Sequence, residues 1–83
     1  MQIQMSNIAS VFSTRPKAHE VFDDVQNGKE IVLDFLGVQM ASPSFLQETL
    51  IIFGDRDVEV RMLNMSDAIK LQLSKARGAL ADS

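Results

Sequence analysis

The stretch Ile31 to Phe53, IVLDFLGVQMASPSFLQETLIIF, constrains this chain more than any other. It opens on a near-continuous apolar run carrying one acid, Asp34, breaks at Gly37, and resumes after Ser42-Pro43-Ser44 as an apolar segment. A run that is apolar on both faces reads as a central strand with helices packed on its sheet. Serine followed by proline reads as a helix start. The hydroxyl can accept a first-turn N–H, and proline at the first helical position gives up a donor that has no partner there. A buried strand feeding a polar helix N-terminus is a place where α/β folds put function.

The flanking chain repeats the alternation. Met1, Ile3 and Met5 alternate with Gln2 and Gln4, the period of a half-buried strand. Ile8, Val11 and Phe12 follow at no clean period, as an irregular connection that tucks under a neighbour. Ser13 or Thr14 can cap a helix with Pro16 in its first turn, Ala18, Val21, Phe22 and Val25 on its buried face, and Asn27-Gly28 as its left-handed stop. Glu30 to Leu36 is the second strand. The helix capped by Ser42 ends near Gly54; Phe45, Leu46, Thr49, Leu50, Ile52 and Phe53 form its wide apolar face, and Ser44, Gln47 and Ile51 share another side. After the turn Gly54 to Asp57, Val58, Val60 and Met62 alternate with Glu59 and Arg61 as a half-exposed strand. Ser66 then caps a last helix, with Asp67 in its first turn, Ile69, Leu73, Ala76 and Leu80 buried, Leu71 pointing away and a fraying end. Strand, helix, strand, helix, strand, helix predicts an α/β fold: a small, mostly parallel or mixed sheet of three to four strands with about three helices, in a single domain over residues 1–83.

Composition narrows the partners. A chain of 83 residues buries only about 60 to 65% of its unfolded surface, so homodimerisation or complex formation with a protein partner is the expectation. A net charge of −3 with scattered cations gives no basic stripe, which argues against nucleic acid. No apolar run approaches the ~20 residues that span a bilayer, the N-terminal MQIQMSNIAS is neither basic nor long and apolar, and cysteine is absent; the expected location is cytoplasmic and off the membrane.

Motifs for catalysis and cofactors are lacking. The one histidine, His19, stands beside Glu20 on a helix, where neighbouring side chains diverge by about 100° and share no metal. There is no cysteine, no G-x-S-x-G elbow and no phosphate-binding glycine loop, so neither an enzyme nor a bound cofactor is expected. Asp34, as a carboxylate in a buried strand, must be hydrogen-bonded or lie at the strand's open end; its structural role is to accept N–H groups from the following loop or a helix start, and Arg15 is a candidate partner. Ser42 is read as a cap. Ser44, at the second helical position, is free of capping duty, and a phosphate there would meet unpaired N–H groups and add roughly −1.5 to −2 of charge. Gln47 and Ile51 continue its strip as candidate partner contacts, weighed evenly against burial under a loop. The five methionines are read as core filling.

On Val32-Leu33-Asp34-Phe35, Gly37-Val38 and Ser42-x-Ser44-Phe45 with Glu48 three residues on, the chain resembles the STAS-like domain family of unassigned function, bacterial and phage relatives of the anti-sigma-factor antagonist fold. Ser13-Thr14-Arg15 and Val60 to Asn64 add weaker matches to its first helix start and third strand. The resemblance implies a small α/β regulatory module that binds a protein. In anti-sigma-factor antagonists the serine opening the equivalent helix is phosphorylated by an ATPase-fold kinase that docks around it. Gap-free alignment puts Ser44 at that serine; Ser42 stands in place of the usual acid, and Phe45 in place of the glycine that follows. Two functions stay open: an interaction module using Ser42, Ser44, Gln47 and Ile51, or a small-molecule or nucleotide sensor using the strand ends near Asp34, Arg15 and Asn64. A phage-encoded inhibitor of a host protein is a variant of the first.

Overall fold

The computed structural model describes residues 1–25 and 28–81, and the side chains of its last helix through residue 78. Strand β1 (Gln2–Gln4) runs into a short 3-10 turn, Met5–Asn7, and then β2 (Val11–Phe12) and helix α1 (Arg15–Phe22). Next come β3 (Glu30–Asp34), β4 (Met40–Ala41) and α2 (Pro43–Asp55), followed by β5 (Glu59–Leu63) and α3 (Asp67–Ala81). β3 lies between β1 and β5 and is parallel to both, so the α/β class and the parallel sheet hold.

The register sorts the side chains. Ile3, Leu33 and Met62 form one row and Ile31 and Val60 the next, all on the helix side; Gln2, Val32 and Arg61, then Gln4, Asp34 and Leu63, form the opposite face. Strand order advances in one direction from β1 through β3 to β5, so right-handed crossovers lay α1 and α2 on the same side. α2 packs between α1 and α3. The other face is open, with Gln2, Gln4, Glu30, Glu59 and Arg61 exposed. This corrects the reading of the second strand as apolar on both faces. β3 ends at Asp34, and Phe35 and Leu36, which made the run look two-sided, belong to the loop beyond it.

All five phenylalanines are buried. Phe12 meets Phe45 at 4.9 Å between ring centroids, Phe22 lies 6.0 Å from Phe45, and Phe22 meets Phe53 edge-on at 5.0 Å, so aromatic contacts join β2, α1 and α2 in one core.

The local signals hold in part. Thr14, not Ser13, caps α1, its Oγ1 accepting from Lys17 N–H at 3.2 Å. α1 closes at Phe22, short of the expected stop, and Asn27 of that stop lies outside the described residues. Arg56 holds this end instead: its guanidinium donates to the carbonyls of Phe22 and Val25, each at 3.1 Å, and lies over the Phe53 ring. α2 runs through Gly54 to Asp55, and the left-handed residue of the turn is Asp57, at φ 56°. The connection after β1 contains a strand: β2 pairs with β4, Val11 opposite Met40 and Phe12 opposite Ala41. Two residues are too short to display a period. Gly37 turns at φ 85°, and a Cβ there would stand 3.3 Å from that of Ser6. Ser66 caps α3, accepting from Ile69 N–H at 3.2 Å; Ile69, Leu73 and Ala76 are buried and Leu71 is exposed, while the Leu80 side chain lies outside those described.

Candidate functional site

β2 and β4 run side by side, and each hands over to a hydroxyl-capped helix. Ser42 fastens the two starts together. Its N–H donates to the Phe12 carbonyl at 2.8 Å, its Oγ accepts from Phe45 N–H at 3.1 Å, and its hydroxyl donates to the Ser13 carbonyl at 2.9 Å. The hydroxyl of Ser42 is therefore spent on structure. Ser44, the second residue of α2, is exposed, and its hydroxyl has no hydrogen-bond partner among the described residues. The N–H groups of a first helical turn have no intrahelical acceptors, so the surface beside this hydroxyl is electropositive.

One turn on from Ser44, the Gln47 side-chain oxygen accepts from the Arg15 guanidinium, which reaches across from the start of α1. Arg15 also lies 3.8 Å from the Glu48 carboxylate. His19 Nε2 is 3.8 Å from the other Glu48 oxygen, and His19 Nδ1 is 3.1 Å from Asp23 Oδ1. His19 is half exposed and sits between the Glu48 and Asp23 carboxylates. Arg15 and His19 stand four residues apart on one helix face, the one signal that could have paired both with α2. Ile51, a turn beyond Gln47, is half-buried and lies outside the hydrophobic core cluster. Ser44, Gln47 and Ile51 thus form one strip, flanked at its start by Arg15.

The second set of predicted residues divides. Asp34 Oδ1 accepts from Leu36 N–H and from the Asn64 side-chain amide, each at 3.0 Å. These bonds, the backbone N–H foremost and the amide next, hold the Asp34 carboxyl below its ordinary value against a smaller opposing effect of burial. Asn64 is left-handed, at φ 57°, and the preceding Leu63 carbonyl accepts from Phe35 N–H at 2.9 Å. Asp34 and Asn64 therefore lock the loops after β3 and β5 to each other. The ion pair of Arg15 with Asp34 is not formed, because the guanidinium is committed to Gln47 and Glu48 across the α1–α2 seam. Among the described residues no group of three or more His, Cys, Asp or Glu side chains could hold a metal ion.

Residues 17–54 match the model of a protein family described as a STAS-like domain of unknown function, the family that the sequence resembles. The matched stretch runs from α1 to the last turn of α2 and contains Asp34, Ser42, Ser44, Gln47 and Ile51. No curated protein and no solved structure matches the chain. Among the described residues no helix is long and apolar enough to cross a membrane.

Proposed function

We propose that this STAS-like chain is a non-enzymatic regulatory module that docks a protein partner through the strip Ser44, Gln47 and Ile51, with Ser44 as the position at which a phosphoryl group would switch the contact. The observation that carries it is the division of labour between the two serines. Ser42 satisfies the helix start in both directions, which leaves the exposed Ser44 hydroxyl unengaged at the positive end of the helix, beside the N–H of Ser44 itself. A phosphoryl group there would add about −1.5 to −2 of charge. It would sit one turn from the Arg15 guanidinium, which could leave the Gln47 side chain for it. Gln47 would then be released, so the modification would alter the shape of the strip as well as its charge. An ATPase-fold kinase or an anti-sigma-like regulator is the partner class that the family resemblance favours, met by a cytoplasmic bacterial or phage chain.

Capture of partners on the immobilised chain, compared across wild type, Ser44→Asp and Ile51→Arg, tests this. The expected result is one partner retained by wild type, lost with Ile51→Arg and altered with Ser44→Asp, at melting temperatures that match the wild type. Recovery indifferent to both substitutions overturns the docking strip. Mass spectrometry of the chain isolated from its cells tests the switch by locating phosphoserine at Ser44 or its absence.

A further inference from the structure

α3 differs in charge from the rest of the chain. It carries three cations, Lys70, Lys75 and Arg77, against one acid, Asp67, whereas the remainder holds five cations and ten acids. Elsewhere four of the five cations, Arg15, Lys17, Arg56 and Arg61, each have a carboxylate within 4.0 Å. Lys29, Lys70, Lys75 and Arg77 have none among the described residues, and of these Lys70 and Arg77 share a groove of about 310 Å³, lined by Met65, Lys70, Leu73, Ser74 and Arg77. Met65 and Leu73 are its apolar lining, half-buried and buried; Lys70, Ser74 and Arg77 are exposed.

Lys70, Leu73, Ser74 and Arg77 occupy helix positions i, i+3, i+4 and i+7, a single stripe about 10 Å long. An open stripe of two turns encloses no small molecule but has the length of one face of a second helix. We infer that this groove is a docking site for an acidic amphipathic segment of a partner protein, its apolar side chains laid on Met65 and Leu73 and its carboxylates at Lys70 and Arg77. Charge complementarity selects that occupant. Two cations a few residues apart can take two carboxylates, whereas a nucleic-acid backbone would need a longer basic track and would face the net negative remainder of the chain. Methionine suits the apolar part, because its flexible thioether adapts to different side chains. The site is on another helix from the strip at Ser44 and does not depend on it.

Selection of a random peptide library on the whole chain, with Lys70→Gln/Arg77→Gln as counter-selection, tests this. The selected peptides are expected to pair acidic with apolar residues at helical spacing. They should bind wild type at least about tenfold more tightly than the double variant and lose affinity as salt rises from about 0.05 to 0.5 M. Lys75→Gln, off the stripe, and Ile51→Arg should leave binding unchanged. All substituted side chains are outside the core, and equal melting temperatures verify that the variants fold. Basic or charge-indifferent peptides, binding that survives the double substitution, or displacement of the peptides by an oligonucleotide would overturn the inference. So would displacement by the chain's own self-association, which would make a second copy the occupant.

Discussion

Asp34 holds a negative charge at a spot only 7% exposed because two donors meet one of its oxygens, the Leu36 N–H and the Asn64 amide. Those donors favour the ionised form, so the folded chain releases the proton more readily than the unfolded chain does. The stability this adds is present in full above the unfolded value and is lost as pH falls through the lowered folded one, in the region below about 3.8. Asp34→Asn is therefore expected to unfold at lower urea than wild type at neutral pH. The gap should narrow as pH drops below about 3.8, where the unfolded chain takes up the proton first, and close below the lowered folded value, where the wild-type carboxyl is neutral as well; a gap that stays constant on acidification would show that the charge is irrelevant. The two serines separate in the same kind of measurement. Ser42→Ala removes a cap and the tie to Ser13 and should cost about 1 kcal/mol, whereas Ser44→Ala, which breaks no bond among the described residues, should stay within about 0.5 kcal/mol.

At the scale of the elements, what was legible in the sequence is local and what was not is tertiary. The caps Thr14, Ser42 and Ser66 could be read because a hydroxyl just before an apolar-periodic run acts within its own helix. The cap of the other end of α1 could not, because Arg56 comes to it from more than thirty residues away in sequence. Nor could the β2–β4 ladder, whose four residues say nothing until they are paired. In the candidate site, the strip Ser44, Gln47, Ile51 was visible as helical spacing, while the partner of Gln47 was not: Arg15 was a candidate for Asp34, and only the packing of α1 on α2 sends it elsewhere. Arg56 offers the check on this reasoning. Arg56→Ala leaves two carbonyls without their charged donor and should cost roughly 1.5 to 3 kcal/mol in urea unfolding. Arg56→Lys should recover only part, because one ammonium cannot replace both Nη1, which donates to the two carbonyls, and Nη2, which faces Asp23. A lysine variant as stable as wild type would mean that charge near Asp23, not the carbonyl bonds, is what matters.

For the molecule as a whole, the consequence of a sheet wound in one direction is that its two faces do different work. One carries Ile3, Ile31, Leu33, Val60 and Met62 under three helices; the other carries Gln2, Gln4, Glu30, Glu59 and Arg61 in solvent, with Val32 half-buried among them. Val32 and Leu33 are neighbours in the central strand and both apolar, so hydropathy alone ranks them together. Burial does not. Leu33→Ala opens a cavity beneath the helices and should cost about 2 to 5 kcal/mol, a large part of the roughly 4 to 12 kcal/mol expected for a chain of this length. Val32→Thr places a hydroxyl on the open face, where water can reach it, and should cost under about 1 kcal/mol. Urea unfolding of the two variants measures the asymmetry directly. Costs of similar size would mean that the open face is covered in solution, by a second copy or a partner. The cost of Val32→Thr should then fall on dilution, because covering by another molecule depends on concentration whereas packing under the chain's own helices does not.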